Sequence, residues 1–149
     1  MKNKIKAIAL DSIETKRRFF EANLDNVALA ARMIITSLKS TGKLLAFGNG
    51  GSAADAQHIV AELVNRLNRD HPPIAAIALT TDTSIITSVA NDLGFDQLFE
   101  RQLVALGRPG DVALAISTSG NSPNVLRAVR AARGMGIETI ALTGRTGGE

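Results

Sequence analysis

The sequence predicts an α/β domain, a three-layer sandwich in which a parallel sheet is covered by helices on both faces. Short apolar runs at Leu44–Phe47, Ile74–Leu79, Val112–Ile116 and Thr139–Leu142 have the length of strands. Segments with helical periodicity separate them, as the crossovers between parallel strands require. The runs do not alternate polar with apolar residues, and that is the signature of strands buried on both faces.

Residues 1–40 precede this pattern. Ile5, Ile8, Ile13 and Phe20, then Val27, Ala30, Ala31, Ile34 and Leu38, recur near a 3.6-residue spacing, which predicts two helices with a break at Asn23–Asn26. Ser40-Thr41-Gly42 ends the second helix. The first strand then runs into glycines, and helix Ala53–Leu67 follows. Strand Ile74–Leu79 leads to helices near Thr83–Ala90 and Phe95–Leu106. Strand Val112–Ile116, helix Pro123–Arg133 and strand Thr139–Leu142 complete the pattern.

With 149 residues, 45% of them hydrophobic, the chain can bury one core, so it reads as a single domain over 1–149, with leading helices in 1–40 and an α/β core in 43–149. It contains no Cys, which excludes disulfide staples and thiolate metal sites. Met1–Leu10 alternates Lys with apolar residues and has no continuous apolar core, and no apolar run reaches the length of a bilayer span. A soluble cytoplasmic protein is expected. The net charge of +3 is modest, Lys16-Arg17-Arg18 reads as a solvated helix face, and aromatic residues at 3% offer no stacking platform, so no nucleic-acid partner and no membrane association are expected.

In an open parallel sheet, ligands bind beyond the carboxyl ends of the strands. Two loops fall there. Gly48-Asn49-Gly50-Gly51-Ser52 has glycines for unusual backbone angles and close approach to a ligand, and Ser52 can cap the following helix. Ser117-Thr118-Ser119-Gly120-Asn121-Ser122 offers hydroxyls and backbone N–H groups ahead of Pro123, the components of an anion cradle at a helix N-terminus. Each loop can equally be a turn with a capping residue. Gly48, Gly50 and Ala53 also satisfy the loose G-x-G-x-x-A dinucleotide pattern, but Asp70 and Asp82 are poorly placed to bind a ribose.

His58 and Glu62 are four residues apart and share a helix face. Such a pair can ligate a metal, can work as a carboxylate acid/base steered by an imidazole, or can be an ordinary exposed pair. Asn91-Asp92 ends a helix before Gly94, as a C-terminal turn or as a group reaching sugar hydroxyls.

Taken together, Gly48 through His58, Glu62, Asn91-Asp92-Leu93-Gly94-Phe95, Gly110-Asp111 through Ser122, and the ending Ala141 through Gly148 resemble the bacterial phosphoheptose isomerases of the sugar isomerase (SIS) family. The resemblance covers essentially the whole chain. It implies a flavodoxin-like SIS fold and interconversion of sedoheptulose 7-phosphate and D-glycero-D-manno-heptose 7-phosphate, the first step toward lipopolysaccharide heptose. It implies that Asn49, Gly50, Gly51, Ser52, Glu62, Asn91 and Asp92 contact the sugar and that Ser117, Thr118, Ser119 and Ser122 hold the phosphate. His58 and Glu62 are similar to two zinc ligands, with Glu62 also the catalytic acid/base. A homotetramer is implied. The family continues with a strand and a long helix carrying a Gln and a His that complete the metal site, and the chain ends at Glu149, so those two ligands are expected beyond it; His71, beside Pro72-Pro73, does not match that role. The alternative is a non-catalytic SIS protein that senses sugar phosphates or associates with a replication initiator. The initiator-associating relatives resemble this chain but tend to lack an acid at the position of Glu62.

Overall fold

Leu44, Leu45, Ala46 and Phe47 are almost entirely inaccessible to solvent, and they form the strand around which the computed structural model is organised. The model describes residues 1–68, 70–144 and 146–148. Strand β1 (Leu44–Gly48) pairs in parallel with β2 (Ala76–Ala78) on one side and β3 (Val112–Ser117) on the other, and β4 (Glu138–Thr143) pairs with β3. The strand order is β2-β1-β3-β4. Helix α2 (Gly51–Val64) connects β1 to β2. Helix α3 (Thr83–Asp92), a 3₁₀ turn (Phe95–Gln97) and α4 (Leu98–Leu106) lead to β3, and α5 (Pro123–Gly134) leads to β4.

The chain leaves β1 in one direction for β2 and returns past it to β3. Right-handed crossovers therefore put α2 on one face of the sheet and α4 and α5 on the other. Parity along the strands agrees with this. Leu45, Phe47, Ala113 and Ala115 join Phe99, Leu103, Val125 and Ala128 in one buried cluster, with the Phe47 and Phe99 ring centroids 5.4 Å apart. Leu44, Ala46, Val112 and Leu114, pointing the other way, are buried as well. Both faces of β1 and β3 are thus covered, which accounts for their unbroken apolar sequences.

The opposite edge of the sheet is tied by a buried carboxylate. Asp111 accepts from the backbone N–H of Lys43 at 3.0 Å and of Arg108 at 2.8 Å, and the Lys43 ammonium donates to it at 2.6 Å.

The chain divides into two compact units, residues 1–32 and 33–149. The expected break at Asn23–Asn26 is absent. One continuous helix, α1 (Lys2–Lys39), replaces the two predicted helices. The physical reason is local: no Gly or Pro occurs before Gly42, Asn23 Nδ2 donates to the Phe19 carbonyl at 3.0 Å, and Asn26 Nδ2 donates to Asn23 Oδ1 at 3.4 Å, so both amides bond within the helix they were expected to interrupt. Within residues 1–32, Arg17 bonds both Glu14 and Glu21 and holds the Glu14 carboxyl below the usual range. Ile5, Ile8, Ile13, Phe20 and Leu24 each remain more than half exposed.

Candidate active site

The carboxyl ends of β1 and β3 are neighbours, and the connections out of them diverge to opposite faces of the sheet. In a doubly wound fold that divergence marks the switch point, the place beyond the strand ends where ligands bind. Both predicted loops flank it.

The first loop leaves β1 at Gly48, where an added Cβ would lie 2.5 Å from the Ile116 carbonyl oxygen and 2.8 Å from Ser52 Cβ. Only a glycine lets the start of α2 approach β3 this closely. Gly50 has φ +54° and ψ −120°, outside the range of L side chains, and nothing lies within 4 Å of a Cβ built there or on Gly51. The backbone of Gly50-Gly51 is therefore open to a ligand. Ser52 does not cap α2. The helix begins at Gly51 with Gly50 in the cap position and no side-chain cap, because the positive φ of Gly50 starts the helix earlier than the serine suggested. Ser52 lies in the first turn, its N–H donating to the Asn49 carbonyl at 3.0 Å.

In the second loop, Ser117 is buried and its Oγ lies 3.2 Å from Ser122 Oγ. Ser122 occupies the N-cap position of α5 with extended backbone, yet its side chain makes no capping bond. Ser119 Oγ accepts from the Asn121 N–H at 3.1 Å, and Thr118 and Ser119 are exposed. Gly120, at φ +69°, has no room for a Cβ because the backbone of Gly147 and Gly148 lies against it. Gly144 N–H donates to the Thr118 carbonyl at 3.2 Å. Arg145 of the ending motif lies outside the described residues.

The two loops are joined by Asn49 and Asn124, whose amides exchange hydrogen bonds of 2.9 Å in both directions. Asn124 was not singled out from the sequence. As the second residue of a helix after Pro123 it looks like any polar turn residue, and its partner is 75 positions away.

On α2, His58 Nε2 and Glu62 Oε1 are 3.1 Å apart, the imidazole side chain 74% exposed and the carboxylate 30%. Two donors about 2.0–2.1 Å from a tetrahedral zinc ion would be roughly 3.3 Å apart, so the pair fits two corners of such a site. Among the described residues no group of three or more His, Cys, Asp or Glu is placed to hold a metal, so these two donors are not a closed site by themselves. Gln57, also unpredicted, donates from Nε2 to the Thr80 carbonyl and hydroxyl at 3.2 Å, tying this part of α2 to the exit of β2.

Asn91 and Asp92 are exposed at the far end of α3 and bond to each other at 2.7 Å, not to either loop. Asp82 caps α3 by accepting from the Ile85 N–H at 2.9 Å, so its carboxylate is committed away from the ribose role of a dinucleotide fold. His71 Nδ1 contacts the Pro72 carbonyl at 2.7 Å, apart from the His58–Glu62 pair.

Residues 10–144 match the family model of the SIS domain. The chain is 54% identical over 149 residues to the phosphoheptose isomerase of Aquifex aeolicus, covering all of this chain and 78% of that protein. It is 59% identical over 139 residues to the phosphoheptose isomerase of Aromatoleum aromaticum, 93% of this chain and 70% of that one. Among solved structures, the phosphoheptose isomerase of Neisseria gonorrhoeae superposes with a TM-score of 0.93 at 47% identity, covering 99% of this chain and 77% of the other.

Proposed function

The chain belongs to the SIS-domain family, among the phosphoheptose isomerases, and from that premise we propose that it converts sedoheptulose 7-phosphate to D-glycero-D-manno-heptose 7-phosphate by a proton transfer centred on Glu62. The observation that carries this reading is the placement of a Gly-rich loop and a Ser-rich loop on adjacent strand ends, with a carboxylate on the helix that leaves the first of them.

The chemistry follows from that layout. Moving the carbonyl from C2 to C1 requires loss of a C1 proton, an enediol, and return of a proton to C2, and one carboxylate close to both carbons serves both steps. Glu62 is that carboxylate. The Gly50-Gly51 backbone and the Asn49 amide receive the sugar, together with Ser52; a sugar role for Asn91 and Asp92, which bond to each other apart from both loops, rests on the family resemblance alone. Ser117, Thr118, Ser119 and Ser122 receive the phosphate without a cationic side chain, through hydroxyl and N–H donors at the start of α5. Holding the phosphate fixes the reacting carbons in register with Glu62. His58 and Glu62 would hold a zinc ion, which supplies polarisation of the substrate oxygens.

The reaction belongs to the cytoplasmic supply of heptose for lipopolysaccharide, and no helix among the described residues is long and apolar enough to cross a membrane. The apolar side chains left exposed on residues 1–32 support assembly into a homotetramer.

Incubating the protein with sedoheptulose 7-phosphate in deuterium oxide tests the reading. Aldoheptose phosphate labelled at the exchanged carbon is expected. Binding of the sugar phosphate without conversion or label uptake would replace the isomerase with a sensing SIS protein.

A further inference from the structure

The Asn49–Asn124 contact is more restrictive than an ordinary amide pair. The Val125 backbone N–H donates to Asn124 Oδ1 at 2.9 Å. Because an N–H can only donate, that atom must be the amide oxygen, and the orientation of both side chains follows from it. Asn124 Nδ2 donates to Asn49 Oδ1, and Asn49 Nδ2 donates to Asn124 Oδ1. Asn49 keeps one N–H and one oxygen lone pair for a ligand. Asn124 is 2% exposed, while Asn49 is only half-buried beyond the end of β1. One partner is thus part of the scaffold, and the other reaches the space where a substrate would lie.

We propose that Asn124 is a positioning residue of the isomerase. It holds the Asn49 amide in a single orientation and clasps the first loop to the second, so that the sugar end and the phosphate end of one substrate are held at a set spacing. The proposal rests on the reading of the two loops given under the proposed function. Asn124 itself touches no substrate and acts only through Asn49.

A double-mutant cycle tests it. Asn124→Ala and Asn49→Ala should each lower kcat/KM for sedoheptulose 7-phosphate by roughly ten-fold, the effect of losing one well-made hydrogen bond to an oriented amide. The double variant should be no more than about two-fold worse than Asn49→Ala, because a residue that acts through Asn49 has nothing left to act on. Affinity for inorganic phosphate, measured by calorimetry, should stay at the wild-type value in Asn124→Ala, since the hydroxyls of the second loop are untouched. If Asn124→Ala does not fold, Asn124→Asp keeps the acceptor for Val125 N–H, still cannot donate to Asn49 Oδ1, and should show the same coupled loss with Asn49→Ala. Multiplicative losses in the double variant, or phosphate affinity falling in step with kcat/KM, would make Asn124 a packing residue and overturn the proposal. A wild-type protein that binds phosphate but never turns over the sugar would overturn the functional reading itself, and that result is visible before any variant is made.

Discussion

Glu62 Oε1 lies 3.1 Å from His58 Nε2 on one face of α2, with the carboxylate less than half as exposed as the imidazole. The helix therefore presents a partly sheltered carboxylate beside a more open imidazole. Replacing the carboxylate by its amide keeps the shape and removes the basicity. Glu62→Gln should lower kcat by at least about 10²-fold, within the usual range for a general acid/base, while sugar-phosphate affinity measured by calorimetry changes little. Turnover at the wild-type rate would remove Glu62 from the mechanism.

The same pair sets the expectation for metal. Treatment with a chelator should lower activity and zinc should restore it. His58→Ala should reduce the zinc retained after dialysis, read by elemental analysis independently of turnover. Loss of a nitrogen ligand from an incomplete donor pair should weaken binding by at least roughly ten-fold. Equal zinc content in wild type and variant would leave His58–Glu62 an ordinary exposed pair.

The placement of these residues was legible in the sequence to the extent that it depends on strands. Apolar runs without alternation located β1 and β3 closely, and their loops fell on one sheet edge as expected. What was not legible depends on partners distant in sequence or on backbone angle. Asn124 meets Asn49 only because β3 lies beside β1. Ser52 has the composition of a cap, but the conformation of Gly50 settles where α2 starts. Asn23 and Asn26 have the composition of a break, yet their amides bond inside α1.

Asp111 offers a stability test away from the candidate site. Its carboxylate satisfies two backbone N–H groups and the Lys43 ammonium while itself 3% exposed. Asp111→Ala would strand those donors, at a cost of about 3–5 kcal/mol. The melting temperature should fall by roughly 6–20 °C. Lys43→Met should cost less, because the backbone bonds to Asp111 survive. An unchanged melting temperature in Asp111→Ala would mean that water replaces the carboxylate.

The proposed assembly through residues 1–32 predicts sensitivity to charge. Ile8 and Phe20 are 62% and 52% exposed. A carboxylate buried in an apolar interface without a partner is strongly disfavoured. Ile8→Asp with Phe20→Asp should shift the mass seen by light scattering toward the single chain, without loss of helix content. A wild-type protein that is monomeric at micromolar concentration would contradict the assembly.

Ser122 separates phosphate binding from helix capping, because it holds the N-cap position of α5 while its hydroxyl faces Ser117 at 3.2 Å and caps nothing. Removing a working cap would cost about 1 kcal/mol. Removing a hydroxyl that donates to a phosphate would cost roughly 1.5–3 kcal/mol of binding, or about one to two powers of ten in affinity. Ser122→Ala should therefore weaken sugar-phosphate binding while lowering the melting temperature only by the loss of the hydroxyl bond to Ser117. Ser119→Ala is the informative contrast. Its Oγ accepts from the Asn121 N–H at 3.1 Å, so this variant loses a ligand donor and a turn bond together, and should lower both affinity and melting temperature. Calorimetric titration beside thermal melts of the two variants reads both quantities. Normal affinity with a lowered melting temperature in Ser122→Ala would make the hydroxyl a cap after all and would move the phosphate away from this loop.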